Sequence, residues 1–126
     1  MQYAPAVRRF AQGTPNIPGL YSCLTGLQII EEVGLPLIAL ESRRRTEWMV
    51  EFVLEQGWRL NSPRNPDERG GSVMIGVENA PQVVERLAEQ KVFVDCRPGV
   101  GLRVSPHFFN TDEEVWAAME IIAATI

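Results

Sequence analysis

Residues 94–122 read VDCRPGVGLRVSPHFFNTDEEVWAAMEII, and this stretch decides the fold. Pro98-Gly99-Val100-Gly101 turns the chain, and Leu102 to Ser105 then alternates apolar and polar residues as a strand does. Thr111-Asp112-Glu113-Glu114 fits a capping box, in which a threonine hydroxyl and a glutamate each satisfy a free backbone amide of a new helix. Val115, Met119, Ile122 and Ile126 then recur at helical spacing as a buried stripe. A strand followed by a capped amphipathic helix sets the end of the chain.

Working backwards, Val92-Phe93-Val94 reads as another strand, and Asn79 can cap a helix with Pro81 in its first turn and Val83, Val84 and Leu87 on its apolar face. Ser72 to Val77 alternates as a strand, and Trp58-Arg59-Leu60 reads as a short one after a helix that ends at Gly57. That helix opens at Pro36 and carries Leu37, Leu40, Trp48, Phe52 and Val53. An earlier helix runs from Leu20 through Leu24, Leu27, Ile30 and Val33 to a stop at Gly34. Residues 1–19, punctuated by Pro5, Gly13, Pro15, Pro18 and Gly19, form an extended linker, and residues 20–126 form the domain. The order helix, helix, strand, strand, helix, strand, strand, helix predicts an α+β fold. Its small, largely antiparallel sheet carries helices packed on one face.

The chain has 126 residues, enough for one core, and its formal net charge of −4 excludes nucleic acid as the main partner. No apolar run has transmembrane length, so no membrane partner is expected, and two cysteines make neither a disulfide framework nor a metal spacing. The cytoplasm is the expected compartment. Cys23, in an apolar helical stretch, is expected to be a buried thiol. Arg43-Arg44-Arg45 is either a solvated helix face or a charged contact with a partner. Arg97 would lower the thiol pKa of Cys96 if the two side chains met, but adjacent strand residues point to opposite faces. His107 has no second histidine at zinc spacing, so no metal site is expected.

Two segments have chemical potential. Gly13-Thr14-Pro15-Asn16 lies just ahead of a helix, where exposed amides and a hydroxyl can hold an anion such as phosphate, or can form an ordinary turn. Arg103 lies between apolar neighbours that point into the core, so its own side chain takes the other face. There it suits either a bidentate grip on a carboxylate or a structural salt bridge.

Together these segments resemble the C-terminal small domain of fold-type I, pyridoxal-phosphate (PLP) enzymes of the class V aminotransferase family. RFAQGTPNIPGLYSCLTGLQII, residues 9–30, is similar to the passage from large domain to small domain in that family, and residues 94–122 to its C-terminal signature. The resemblance implies that Arg103 binds the α-carboxylate of an amino-acid substrate. It also implies that Thr14, with Gly13, contacts the PLP phosphate of the neighbouring subunit in a homodimer. The Schiff-base lysine, the aspartate at the pyridinium nitrogen and the aromatic over the ring belong to the family's large domain. Lys91, the only lysine here, reads instead as a solvated turn residue, so the chain is expected to be inactive alone. The connection Arg97–Leu102 contains no cysteine, which sets the chain apart from cysteine desulfurases and nearer to kynureninase, or to an uncharacterised aminotransferase or epimerase relative. The alternative is a stand-alone, non-catalytic α+β interaction module.

Overall fold

In the computed structural model, which describes residues 4–10 and 13–126, the chain divides into two compact units, residues 1–35 and 36–126.

The first unit holds a 3-10 turn, Ala6–Phe10, and helix α1, Ile17–Val33. The helix starts three residues before the expected Leu20, because the Asn16 side chain accepts a hydrogen bond from the Gly19 amide (3.1 Å) and Pro18 stands in the first turn, where its missing N–H costs nothing. Gly34 ends it with a positive φ, as expected. No residue of α1 is buried. The expectation of a buried Cys23 is therefore corrected: its thiol is exposed, and donates to the Leu20 carbonyl oxygen. The α1 sequence is apolar on several sides, so its composition suggested burial that only Ile30 and Val33 receive, and only in part.

The second unit is built from α2 (Leu35–Glu55), β1 (Arg59–Leu60), β2 (Val73–Gly76), α3 (Ala80–Glu89), β3 (Asp95–Arg97), β4 (Gly101–Val104) and α4 (Asp112–Thr125). The four strands form one sheet in the order β1-β2-β4-β3, and every neighbouring pair is antiparallel. Period-two alternation divides the sheet into two faces. Val73 and Ile75 of β2 and Leu102 and Val104 of β4 are buried, with Val83 and Leu87 of α3, Met49, Val50 and Val53 of α2, and Val115, Met119 and Ile122 of α4. Helices on one face of an antiparallel sheet make the α+β architecture that the element order predicts.

Local expectations are corrected in four elements. The strand expected at Val92–Val94 lies instead at Asp95–Arg97. Lys91 closes α3 with a φ of 64°, the Val92 amide folds back onto the Leu87 carbonyl, and Val92 and Val94 pack against the core without joining the ladder. Asn79 precedes α3 in the left-handed region and makes no side-chain cap; its carbonyl takes the first amides instead. Ile126 is exposed, and Thr125 completes the buried stripe of α4, its hydroxyl donating to the Ile121 carbonyl and accepting from Gln90. In α2 the buried stripe is Thr46, Met49, Val50 and Val53, while Leu37 and Leu40 are exposed.

Candidate functional site

The β3–β4 hairpin turns through Pro98-Gly99-Val100, with Gly99 at a φ of 73° and the Val100 amide bonded to the Arg97 carbonyl at 2.9 Å. A glycine is suited to that positive φ because a Cβ would clash with its own backbone. Pairing then runs Arg97 with Gly101, Cys96 with Leu102, and Asp95 with Arg103. Leu102 and Cys96 face the core, so Arg103, Asp95 and Arg97 share the opposite, helix-free face. Arg59, opposite Gly76 in β1–β2, and Met74, opposite Arg103, lie on the same face. This separation of Cys96 from Arg97 agrees with the reading from strand alternation.

Arg103 is half-buried, and its guanidinium is held along one edge. Its Nε donates to Asp95 Oδ1 at 2.9 Å and its Nη2 donates to Asp95 Oδ2 at 2.5 Å. Arg97 Nη2 stands 3.3 Å from the same Oδ2. Two arginines therefore meet one carboxylate on this face of the sheet, and Arg97, Arg103 and Asp95 together carry one net positive charge. Asp95 went unnoticed in the sequence because the strand was placed three residues early. Counting outward from Gly99 would have found it opposite Arg103. Beside this cluster an open groove of about 630 Å³ is lined by Arg59, Gly76, Arg97 and Gly101 among others, and Arg103 lies outside that lining.

Gly13 (φ 150°) and Thr14 are exposed, just ahead of the Asn16 cap of α1. They lie in the first unit and Arg103 in the second. Among the described residues, no group of three His, Cys, Asp or Glu gathers as for a metal ion. His107 stacks on Phe109, ring centroids 4.3 Å apart. Lys91 is exposed at the end of α3. The cofactor implied by the resemblance needs a lysine aimed into a pocket and a carboxylate for its ring nitrogen. The described residues do not compose such a pocket, and they fit the group only at its phosphate, through a threonine hydroxyl beside a helix start.

A second charged network ties α2 to α4. Arg44 donates to Asp112 Oδ1 (2.6 Å) and to Glu41 Oε2 (2.7 Å), and Arg45 reaches Asp112 at 3.1 Å. The Arg44 hydrogen bond holds both carboxyls below their ordinary values, with Arg45 adding to it at Asp112. Asp112, Glu41 and their hydrogen bonds in turn raise Arg44 above its own. Arg43 pairs with Asp67 at 2.8 Å. The basic run is thus engaged within the chain. The capping box of α4 is present in full, and the Thr111 amide together with the Asn110 side chain keeps the Glu114 carboxyl below the usual range.

This fold, with its arginine on the open face of the sheet, is that of the C-terminal small domain of a class V aminotransferase-like enzyme. The sequence profile described as the kynureninase C-terminal domain matches residues 38–122, and the chain belongs to that family. It is 31% identical over 122 residues to an uncharacterised aminotransferase of Bacillus subtilis (strain 168), covering 97% of this chain and 32% of that protein. It is 27% identical over 118 residues to the kynureninase of Shouchella clausii (strain KSM-K16), covering 90% of this chain and 27% of the other. The structure superposes with a TM-score of 0.81 and 24% identity on the apo structure of a cysteine desulfurase from Thermococcus onnurineus NA1, over 94% of this chain and 33% of that one. At that identity the likeness is one of fold. The chain spans about a third of the length of the relatives it matches.

Proposed function

We propose that this chain is the small domain of a homodimeric, cytoplasmic PLP-dependent enzyme acting on an amino acid, either a kynureninase-type hydrolase or an aminotransferase, and that Arg103 grips the α-carboxylate of the substrate. The observation that carries the reading is the position of Arg103: a half-exposed guanidinium on the helix-free face of the sheet, one edge already held by a carboxylate and the other edge free. Planar guanidinium forks match carboxylates in two parallel hydrogen bonds. The cofactor, when bound in the longer enzyme, supplies the electron sink for breaking a bond at Cα. Arg103 contributes orientation, holding the substrate so that the bond to be broken stays aligned, at no entropic cost in the reacting step. Thr14, with Gly13, donates to the cofactor phosphate of the neighbouring subunit.

The test is kinetic, in the longer polypeptide that carries this domain, with L-kynurenine and L-alanine as first substrates. Arg103→Ala raises KM about a hundredfold, because a lost bidentate charged hydrogen bond is worth about 1.5–3 kcal/mol and each 1.4 kcal/mol is tenfold. An unchanged KM for every amino acid that the unaltered enzyme turns over would overturn the assignment. Thr14→Ala leaves KM for the amino acid in place and weakens PLP retention about tenfold, read from the loss of visible cofactor absorbance on dilution. Equal retention would remove Thr14 from the site.

A further inference from the structure

Resting on the proposed carboxylate grip of Arg103, we propose that Asp95 is its positioning residue, permanently holding one edge of the guanidinium so that the other is presented to the substrate carboxylate, and setting the charge of the site to suit a monocarboxylate. A guanidinium offers a carboxylate two bidentate edges, one made of Nε and Nη2 and one made of Nη1 and Nη2. In this structure Asp95 takes the first, Oδ1 on Nε and Oδ2 on Nη2. The second edge shares Nη2 with that pair, but Nη1 and the other Nη2 hydrogen point away from Asp95, and the side chain is 37% exposed, so an incoming carboxylate can reach it.

Register keeps Asp95 in place. It stands directly across the β3–β4 ladder from Arg103, in the same hairpin, so its carboxylate is a tethered neighbour at high effective concentration. A free carboxylate competes poorly with such a neighbour for the Nε edge and has the Nη1 edge uncontested. Holding one edge also stops the long arginine side chain from sampling other rotamers, which lowers the ordering cost of binding. Asp95 tunes charge as well as position. Arg97 approaches the same Oδ2 at 3.3 Å, and the trio of Arg97, Asp95 and Arg103 carries one net positive charge. One more negative charge neutralises it. Without Asp95 the two arginines would carry two positive charges and favour a dianion.

Arginine side-chain 1H–15N spectra of the 126-residue chain, titrated with acetate and separately with malonate, test this. Acetate shifts the Arg103 Nη signals and leaves its Nε–H signal in place. In Asp95→Asn, acetate moves the Nε–H signal too, and the ratio of malonate to acetate affinity rises several-fold. Asp95→Glu, which keeps the charge, returns that ratio to its original value. A merely structural ion pair would not alter the preference between mono- and dicarboxylate in a variant whose spectrum stays dispersed. If acetate moves Nε–H in the unaltered chain, it displaces Asp95 and the positioning role is overturned with the grip intact. An Asp95→Asn chain that matches the unaltered one does the same. If Arg103 responds to neither anion in any of the chains, the grip itself fails, and this inference fails with it.

Discussion

Gly101 shows how tightly the candidate site is built at the level of single residues. It is buried, its φ is 114°, and a Cβ added there would run into the Ile75 carbonyl oxygen of the neighbouring strand. No rotamer relieves a clash between backbone atoms, so Gly101→Ala must push β4 away from β2 and carry Arg103, two residues on, with it. The expected cost is about 1–3 kcal/mol of stability by denaturant unfolding, together with loss of the Arg103 Nε–H signal that reports the Asp95 pair. A variant as stable as the original, with that signal unchanged, would show that the strand has room to move. At this scale the sequence was informative about Arg103, since alternation alone puts it opposite Leu102 and Val104. It was silent about Asp95, because a partner across a hairpin depends on register, and register depends on where the turn is centred. Cys23 misled for a different reason: apolar neighbours in the sequence do not make a side chain buried unless something covers that helix.

Among elements, α4 was the most legible, and its cap is the simplest to test. Thr111 accepts from the Glu114 amide at 3.2 Å while Glu114 accepts from the Thr111 amide at 2.9 Å. Thr111→Ala removes the hydroxyl half of that exchange and lowers stability by about 1 kcal/mol, read as a shift of the urea midpoint at constant slope. The α2–α4 network makes an acid limb. Glu41, Asp112 and Glu114 are held below ordinary values of 4.5, 3.8 and 4.5. Carboxyls lowered by folding add stability that is present above their unfolded pKa and is lost as pH falls through the lower folded one. Thermal unfolding by circular dichroism should therefore be level near neutrality and fall below about pH 4. Asp112 and Glu114 are exposed and Glu41 is half-buried, so salt at about 1 M should shrink the fall. Arg44→Ala should flatten it, because Arg44 is the first cause of the shift at two of the three; an acid limb that ignores Arg44 would contradict the network. β3 was the least legible element. Val92-Phe93-Val94 has the composition of a strand, yet Val92 and Val94 are apolar because they pack against the core, and pairing falls on the more polar Asp95-Cys96-Arg97.

For the molecule as a whole, the order of elements and the antiparallel sheet followed from periodicity and turn chemistry, and they agree with the family to which the chain belongs. The exposed apolar residues of α1, among them Leu20, Tyr21, Leu24 and Leu27, need a cover that these described residues do not provide. In the proposed enzyme that cover comes from the large domain. The 126-residue chain alone should accordingly bind a hydrophobic dye and self-associate in analytical ultracentrifugation, whereas a dye-free monomer would contradict that view of α1. The central claim is that Arg103 recognises the carboxylate of an amino acid, and it is tested most directly by removing the charge from either side of that contact. In the longer enzyme, kcat/KM is measured for a substrate amino acid and for its carboxamide, with Arg103 intact and with Arg103→Ala. The account predicts that the intact enzyme prefers the carboxylate strongly and that Arg103→Ala loses nearly all of that preference. Equal preference in both enzymes would place carboxylate recognition elsewhere.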